Sequence, residues 1–477
     1  MTRPRADRPT VLIVGGGAAG ALAALHLVRE ATAGVDLVVV DPAEQLALGT
    51  AFSTTDPEHL LNVPASGMSA LPDDPGHFAR WRARTTRSEV DPHEFAPRMA
   101  WGRYLAETLA DALRAAGRRA TLKHVRRTAT AIDHDAHGVT LTLDDGTTVR
   151  GDAVVIGTGL PAPSSSWAPA SLRTSPRFVP DPWAPGALAR VRDDVASLPD
   201  VLAVGTGLTM VDVVTTLASS RADRFLHAIS RSGLLPRRHA DGPQAPVVPD
   251  VTDWGHGLTS IVDHTQAHLR EAEIATGDWR PGLDGLRHRV QDLWGRLSEA
   301  DRHAFLARWA GPWNRIRHRI PGASAHRIDG LVALGRLTTS AARVVKVSEL
   351  PDGLRVHLTD GTVRDVGWVV NCTGPNADVR LSGNPLVEDL LRPRETGSLA
   401  VAATAGMGFR TRAGQLLGSE GRVAVPVWVL GALRRGELWE STAVPEIRVQ
   451  AAAVAGAVLD AVSAAPRHEG LVRSPRP

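Results

Sequence analysis

Short apolar runs broken by glycine set the pattern at the start of the chain. Thr10–Val14 is apolar and β-branched and is followed by Gly15-Gly16-Gly17-Ala18-Ala19-Gly20. An apolar stretch with helical character then runs to about Glu30, and Val35–Val40 ends at Asp41. This order predicts a strand, a tight turn, a helix and a second strand, a βαβ unit. Over residues 97 to 116, Trp101, Leu105, Leu109 and Leu113 recur four apart, a helical stripe stopped by Gly117. A second βαβ unit begins at Val201–Val204, turns through Gly205-Thr206-Gly207-Leu208-Thr209-Met210, and ends with a strand Phe225–Ser230 before Arg231. Residues 258 to 311 read as helical throughout, with a Ser298-Glu299-Ala300-Asp301 capping box opening the last helix and Gly311-Pro312 ending it.

An internal echo ties the two units together. Arg127–Gly159 and Arg343–Gly374 each contain alternating strands, a first turn (Ala136–Gly138, Pro351–Gly353) and an Asp-Gly hairpin (Asp145-Gly146, Asp360-Gly361). Each then closes on an apolar strand ending in Thr-Gly (Thr158-Gly159, Thr373-Gly374). Two copies of a β-meander that returns to a buried strand imply two similar nucleotide-binding domains. The expected fold class is α/β, with two Rossmann-like dinucleotide-binding domains, the second inserted in the first, and a helical subdomain. The boundaries expected are 1–162 with 376–477 for one domain, and 163–375 for the other, including the helical insertion at about 258–311. Pro161 to Pro185, rich in Pro and Ser, reads as the crossing between them.

Composition narrows the function. A chain of 477 residues is more than one core usually organises. Lys+Arg 54 against Asp+Glu 51 leaves +3, which offers no basic field for nucleic acid. The pI near 9.7 reflects the dominance of arginine, since Lys123 and Lys346 are the only lysines. The single cysteine, Cys372, allows no intrachain disulfide and no Cys-x-x-Cys relay, and fits a reducing, cytoplasmic setting. Its place at the end of a buried strand suits core packing. Val11 to Val28 is apolar enough to suggest a signal or membrane segment, but the glycines at its centre and Arg29-Glu30 after it favour a strand, turn and helix. The expectation is no membrane, a frayed tail from Ala465, and an undetermined oligomeric state. The eighteen histidines show no metal-ligand spacing, so no metal is expected.

The two glycine turns carry the chemistry. Gly15-x-Gly17-x-x-Gly20 has the spacing for a tight turn, a close backbone approach to a pyrophosphate, and a helix N-terminus offering free N–H groups. Asp41, 21 residues after Gly20 and at the end of the second strand, stands where a carboxylate accepts from a ribose hydroxyl. These residues, with Ala19, are the candidates for FAD. Gly205-x-Gly207-x-x-Met210 departs at its third position, where Met would hold the helix further from the strand. Arg231 lies 21 residues on, where an NAD-binding domain would carry an acid; an arginine there suits the 2′-phosphate of NADP(H). A solvated loop arginine is the alternative. Arg317-His318-Arg319 reads equally as a solvated charged turn or an anion site, and receives no role.

Further segments carry a family resemblance. Gly49-Thr-Ala-Phe-Ser53, Pro57-x-His59-Leu-Leu-Asn62-Val-Pro-Ala65, Met68-Ser69-Ala70 and Asp74-Pro-x-His-Phe78 resemble a bacterial family of FAD/NAD(P)-binding proteins, two-dinucleotide-binding-domain flavoproteins of which many have no assigned activity. Ile229-Ser-Arg231-x-Gly-Leu-Leu-Pro236, Arg317-His318-Arg319 and Gly431-x-x-x-Arg435-Gly-x-Leu-Trp439-Glu-Ser-Thr-Ala-Val-Pro-Glu446 are similar to the same family. More distantly it resembles the flavin-dependent N-hydroxylating monooxygenases, whose flavin-side loop also carries a Met, then Asp-Pro and an aromatic residue. The resemblance implies that His59 to Ser69 line the isoalloxazine, with His59, Asn62 and Met68 at the cofactor and Asn62 and Ser69 as polar candidates for the flavin edge. Thr158, Gly159, Thr373, Gly374, Gly431, Glu440, Ser441, Thr442 and Ala443 complete the cofactor candidates. Pro445 and Glu446 announce a helix to about Val462 whose N-terminus can stabilise negative charge on a reduced flavin. The implied activity is oxidoreduction with FAD and NADPH, by analogy N-hydroxylation of a small primary amine or amino acid with molecular oxygen. A flavin oxidase or reductase without oxygen insertion, and a non-catalytic FAD/NADP redox sensor, stay open.

Overall fold

The computed structural model describes residues 8–464 apart from His137, Leu160, Ala222 and Thr396, and of Ala424 the backbone alone. The tail from Ala465 and the tip of the 136–138 turn lie outside the described residues. Thr10–Val14 is an inner strand of a seven-stranded sheet. On one side it pairs in parallel with Val35–Val40, which pairs with Ala120–Val125. On the other lie Ala153–Ile156 and Val423–Val429, also parallel, and then the antiparallel hairpin Thr411–Arg412 and Gln415–Leu417. Strands from the N-terminal 10–156 and from the C-terminal segment therefore share one sheet, while strands from the chain between build another. That second sheet is parallel throughout, in the order Leu337–Ala341, Leu226–Ser230, Val201–Val204, Trp368–Asn371, Phe178–Val179. Strands buried on both faces need apolar residues at every position, as in the fully buried Ala153–Ile156 and Val201–Val204.

The two meanders form separate three-stranded antiparallel sheets with matching turns. Asp145 Oδ1 accepts from Thr147 N at 3.0 Å and Thr147 Oγ1 at 2.6 Å; Asp360 Oδ1 accepts from Thr362 N at 3.0 Å and Thr362 Oγ1 at 2.7 Å. The echo in the sequence is an echo in hydrogen bonding. Residues 161–185 are more than a crossing, because Phe178–Val179 pairs with Trp368–Asn371 as an edge strand of the second sheet. The two passages between the sheets run side by side, joined by a Pro163–Pro375 bridge and by Asn376 N donating to Ala162 O at 3.4 Å.

Helix Ala18–Glu30 is buried along most of its length between helices Arg98–Ala116 and Val444–Ala464. Among the described residues Val444–Ala464 is the one helix long and apolar enough to cross a membrane; its Ile447, Ala451, Val454 and Val458 face the core. The insertion holds helices Leu258–Thr276, Arg280–Leu286, Val290–Arg296, Glu299–Arg308 and Ala310–Arg317. Ser298 caps Glu299–Arg308, its Oγ accepting from Asp301 N at 3.1 Å. Gly311-Pro312 does not end that helix. The break falls at Trp309, and Pro312 sits in the first turn of the next helix, where no intrahelical N–H is required. Trp294 stacks on Trp439 (centroids 5.1 Å apart) and its indole N–H donates to Gly436 O at 3.0 Å, fastening the insertion to the C-terminal segment.

Candidate active site

The first glycine turn is built by backbone packing. Gly15 has φ +94°, and a Cβ there would lie 2.7 Å from Gly157 O; a Cβ at Gly20 would overlap Gly15 O. Gly17, the N-cap of helix Ala18–Glu30, has no side-chain cap, and Gly17 and Ala18 are only half-buried. The first N–H groups of a well-formed helix are thus open to an anion. Ala19 is buried behind them. Asp41 is half-buried, its carboxylate accepting from Gly16 N at 2.6 Å and Ala43 N at 2.8 Å beside the turn. Thr158 and Gly159 follow the neighbouring strand at the same sheet end, Gly159 with φ +74°. These residues fit a dinucleotide pyrophosphate and its ribose.

The second turn repeats the design. Gly205 has φ +118° and lies against Cys372 O, where a Cβ would clash. Gly207, the uncapped N-cap of helix Leu208–Ala218, has nothing within 4 Å of a Cβ. Met210 does not hold the helix away; it is fully buried between sheet and helix in the second core. Arg231 directly follows Leu226–Ser230, is exposed, and has no ion pair among the described residues. Thr373 is exposed and bonded to Asn371 Oδ1 at 2.8 Å, and Gly374 has φ +82° at the end of the adjacent strand. Cys372 is buried, and burial pushes its thiol far up, out of reach of thiolate chemistry.

The loop from His59 to Ser69 departs in part from the sequence reading. Both ring nitrogens of buried His59 are used, against Thr54 Oγ1 and Thr216 Oγ1, each at 2.8 Å. His59 therefore joins its own loop to helix Leu208–Ala218 and presents no free nitrogen to a ligand. Ser69 is fully buried, its hydroxyl donating to Asp74 O at 2.7 Å and accepting from Leu71 N at 3.1 Å. That hydroxyl is engaged in a local turn. Met68 is buried, its carbonyl accepting from Trp101 Nε1 at 2.6 Å. Asn62 is half-buried; its carbonyl accepts from His239 Nε2 at 3.0 Å and its amide has no partner among the described residues.

The C-terminal segment holds what sequence reasoning undervalued. Gly431 (φ +67°) donates to Gln450 Oε1 at 2.9 Å, beside Ala19. Glu440 and Ser441 are buried, Thr442 is exposed and Ala443 half-buried, immediately before helix Val444–Ala464. Ser441 Oγ and Trp439 Nε1 are buried with no hydrogen-bond partner, and Trp439 has φ +57°, a strained value for so bulky a residue. Arg317-His318-Arg319 is no solvated turn. Arg319 is 4% exposed and paired with Asp284, and Arg317 reaches Glu440 at 3.6 Å and Glu446 at 4.0 Å. Burial pushes Glu440 up, but the Arg317 guanidinium and the Trp313 N–H bond of 2.9 Å hold it below the ordinary glutamate value. Burial and nearby arginines keep His318 neutral. Trp313 ahead of this basic run and Trp439 beside Glu440 were the signal in the sequence, since aromatic cover lets charges be buried.

Residues 12–161 match a protein family described as FAD-NAD(P)-binding. Among solved structures, the ornithine N-hydroxylase of Kutzneria sp. 744 is similar at 18% identity and TM-score 0.61, over 94% of this chain and 99% of that one. The L-lysine 6-monooxygenase of Pseudomonas syringae matches at 18% identity and TM-score 0.60, over 95% and 100%. A cadaverine monooxygenase of Erwinia amylovora, solved with FAD bound, matches at 13% identity and TM-score 0.60, over 94% of each. No curated protein matches the chain. The chain has the fold of the flavoproteins with two dinucleotide-binding domains. An N-terminal FAD-NAD(P)-binding domain is part of it.

Proposed function

We propose that this protein is an FAD-dependent, NADPH-using monooxygenase that N-hydroxylates a small primary amine or amino acid. The observation that carries the reading is the chain-length likeness to N-hydroxylases acting on ornithine, lysine and cadaverine. Two uncapped glycine turns support it, one on each parallel sheet. Cys372 is buried and is the sole cysteine, so no dithiol is available as an electron acceptor. Bound flavin supplies hydride acceptance from the nicotinamide and activation of oxygen.

In this reading 1–162 with 376–477 hold FAD and 163–375 hold NADP(H). The first turn, with Gly15, Gly17 and Gly20, takes the FAD pyrophosphate and Asp41 the ribose. Gly205, Gly207 and Arg231 take NADPH. Met68 and Asn62 lie along the flavin, with Asn62 as its polar neighbour, and Ser441 to Ala443 face its pyrimidine end. The balanced reaction takes a primary amine, oxygen, NADPH and a proton to a hydroxylamine, NADP+ and water. The FAD-loaded protein should consume NADPH and yield hydroxylamine in equal amounts with an accepted amine. NADPH recovered wholly as peroxide across a broad amine panel would make it an oxidase, and no NADPH consumption at all would leave a redox-sensing binding protein.

A further inference from the structure

Around Glu440 the charges do not balance. Arg287 pairs with Glu446, and Arg317 approaches both Glu440 and Glu446. Arg435 lies over the Trp439 ring at 5.0 Å, with Glu440 as the one anion acting on it. Arg448 gives Nη1 to the carbonyls of Gly67 and Ser69 at 3.3 and 3.0 Å. Four guanidiniums meet two carboxylates, so two positive charges have no anion. All four arginines are half-buried, and Arg448 reaches the loop of residues 67–69. The same small region holds buried polar atoms without hydrogen-bond partners: Arg317 Nε, Arg448 Nε, Asn314 Oδ1, Trp439 Nε1 and Ser441 Oγ. Enclosed cations without counter-ions are costly, and unpaired buried polar atoms in one place mark a site for a polar ligand.

We infer that this cluster is a dicarboxylate subsite, and that the amine substrate of the proposed reaction is an acidic one carrying two carboxylates. The inference rests on the N-hydroxylase reading, because it assumes the cluster faces the same cleft as the flavin-side loop. Guanidinium forks match carboxylates in pairs of parallel hydrogen bonds, which a lysine cluster would not. An excess of two cations also opposes a diamine, whose second ammonium would enter a field of its own sign. The site thus selects by charge as well as by size.

The test compares isosteric acid and amide probes on the FAD-loaded full-length enzyme. Binding of L-aspartate, L-asparagine, L-glutamate, L-glutamine and cadaverine is read from perturbation of the flavin spectrum and from the shift in Tm. An acid should bind more tightly than its amide by about tenfold to a hundredfold, the worth of one charge-assisted hydrogen bond or more. Cadaverine should not bind. Arg435→Gln should remove most of the acid-over-amide preference while the Tm without ligand stays level or rises, because an unpaired cation has gone. If that variant does not fold, Arg435→Lys, which keeps the charge and loses the fork, should show part of the same loss. Equal binding of acid and amide, or preference for cadaverine, overturns the inference. So does an Arg435→Gln protein whose flavin potential shifts while the acid-over-amide ratio stays, since the arginine then serves the flavin. Hydroxylamine formed from a diamine would leave the reaction standing without this subsite; dicarboxylates that bind without turnover would leave the subsite without the reaction.

Discussion

Gly207 and Gly205 sit two positions apart and answer to different constraints. At Gly205 the backbone is left-handed and pressed on Cys372 O, so any side chain there strains the fold itself. At Gly207 φ is −87° and a Cβ would meet nothing, so the protein alone gives no reason for glycine. The reason is then a ligand that comes close. Gly207→Ala should leave Tm unchanged and weaken NADPH binding by about tenfold or more, as expected for a cofactor phosphate pushed off the helix N-terminus. A folded variant that binds NADPH normally would show that the turn serves packing only. Arg231 carries the coenzyme choice. Its exposed guanidinium has no carboxylate partner among the described residues, so Arg231→Ala costs the fold little. It should raise KM for NADPH by roughly tenfold to a hundredfold, the worth of contacts to a 2′-phosphate, with little change for NADH. Equal loss on both coenzymes would assign the arginine to loop shape instead.

Helix Leu208–Ala218 has a second task, on the flank that faces away from its own core. Asp212 Oδ2 lies 2.8 Å from Arg98 Nη2, though not aligned for a hydrogen bond, and both side chains are nearly buried. Thr216 Oγ1 donates to Asp56 Oδ2 at 2.6 Å and meets His59 Nε2, while Arg98 Nε donates to Leu60 O at 3.0 Å. The helix that opens at the second glycine turn is thereby clamped to the loop that leads to Asn62 and Met68. Burial raises Asp212 above the usual carboxylate value against the pull of Arg98, so the pair is held at a cost. Asp212→Ala leaves Arg98 enclosed and unpaired and should destabilise the protein by about 3–5 kcal/mol in urea unfolding. It should also slow flavin reduction by NADPH; unchanged stability would mean that Arg98 is solvated by another route. None of this clamp was legible in the sequence, because it joins residues that only the packing of two domains brings together. What was legible is local and periodic: the two βαβ units, the doubled meander, the helix Arg98–Ala116 and the Ser298 cap. The edge strand Phe178–Val179 escaped notice because two residues carry no period, and its pairing with Trp368–Asn371 is long-range. Arg317-His318-Arg319 escaped for the opposite reason: composition assigns such a run to solvent, and only its partners at 284, 440 and 446 reveal that it is enclosed.

Two seams hold the helical insertion and its flanking loop to the first domain, and each contains a histidine that the fold keeps neutral. His239, tilted against Phe95 with ring centroids 4.8 Å apart, donates to Asn62 O. Burial, with Arg319 beside it, lowers its pKa to about 4. His318 is lowered in the same direction by burial and by Arg317 and Arg435, against the pull of Glu440. In the unfolded chain both titrate near the ordinary histidine value of about 6.5. A depressed histidine pKa means that the unfolded state takes up protons first, so stability is lost as pH falls from about 6.5 toward about 4. For His239 alone the loss amounts to at most about 3 kcal/mol across that window. Above about pH 5 ordinary carboxylates remain ionised, so a fall in Tm between pH 7 and about 5 reports the buried histidines together, His26, His77 and His227 being lowered by burial as well, and the variant separates the share of His239. His239→Gln keeps an N–H for Asn62 O and cannot take a proton, so it should flatten part of that fall. His239 holds Asn62, which the proposed reading sets along the flavin, so on that reading acid should also loosen flavin retention in the wild type before global unfolding, and less so in the variant. A fall in Tm from pH 7 to 5 that is the same in wild type and His239→Gln, with flavin content equally unaffected by the substitution, would mean that the His239 seam carries no acid sensitivity.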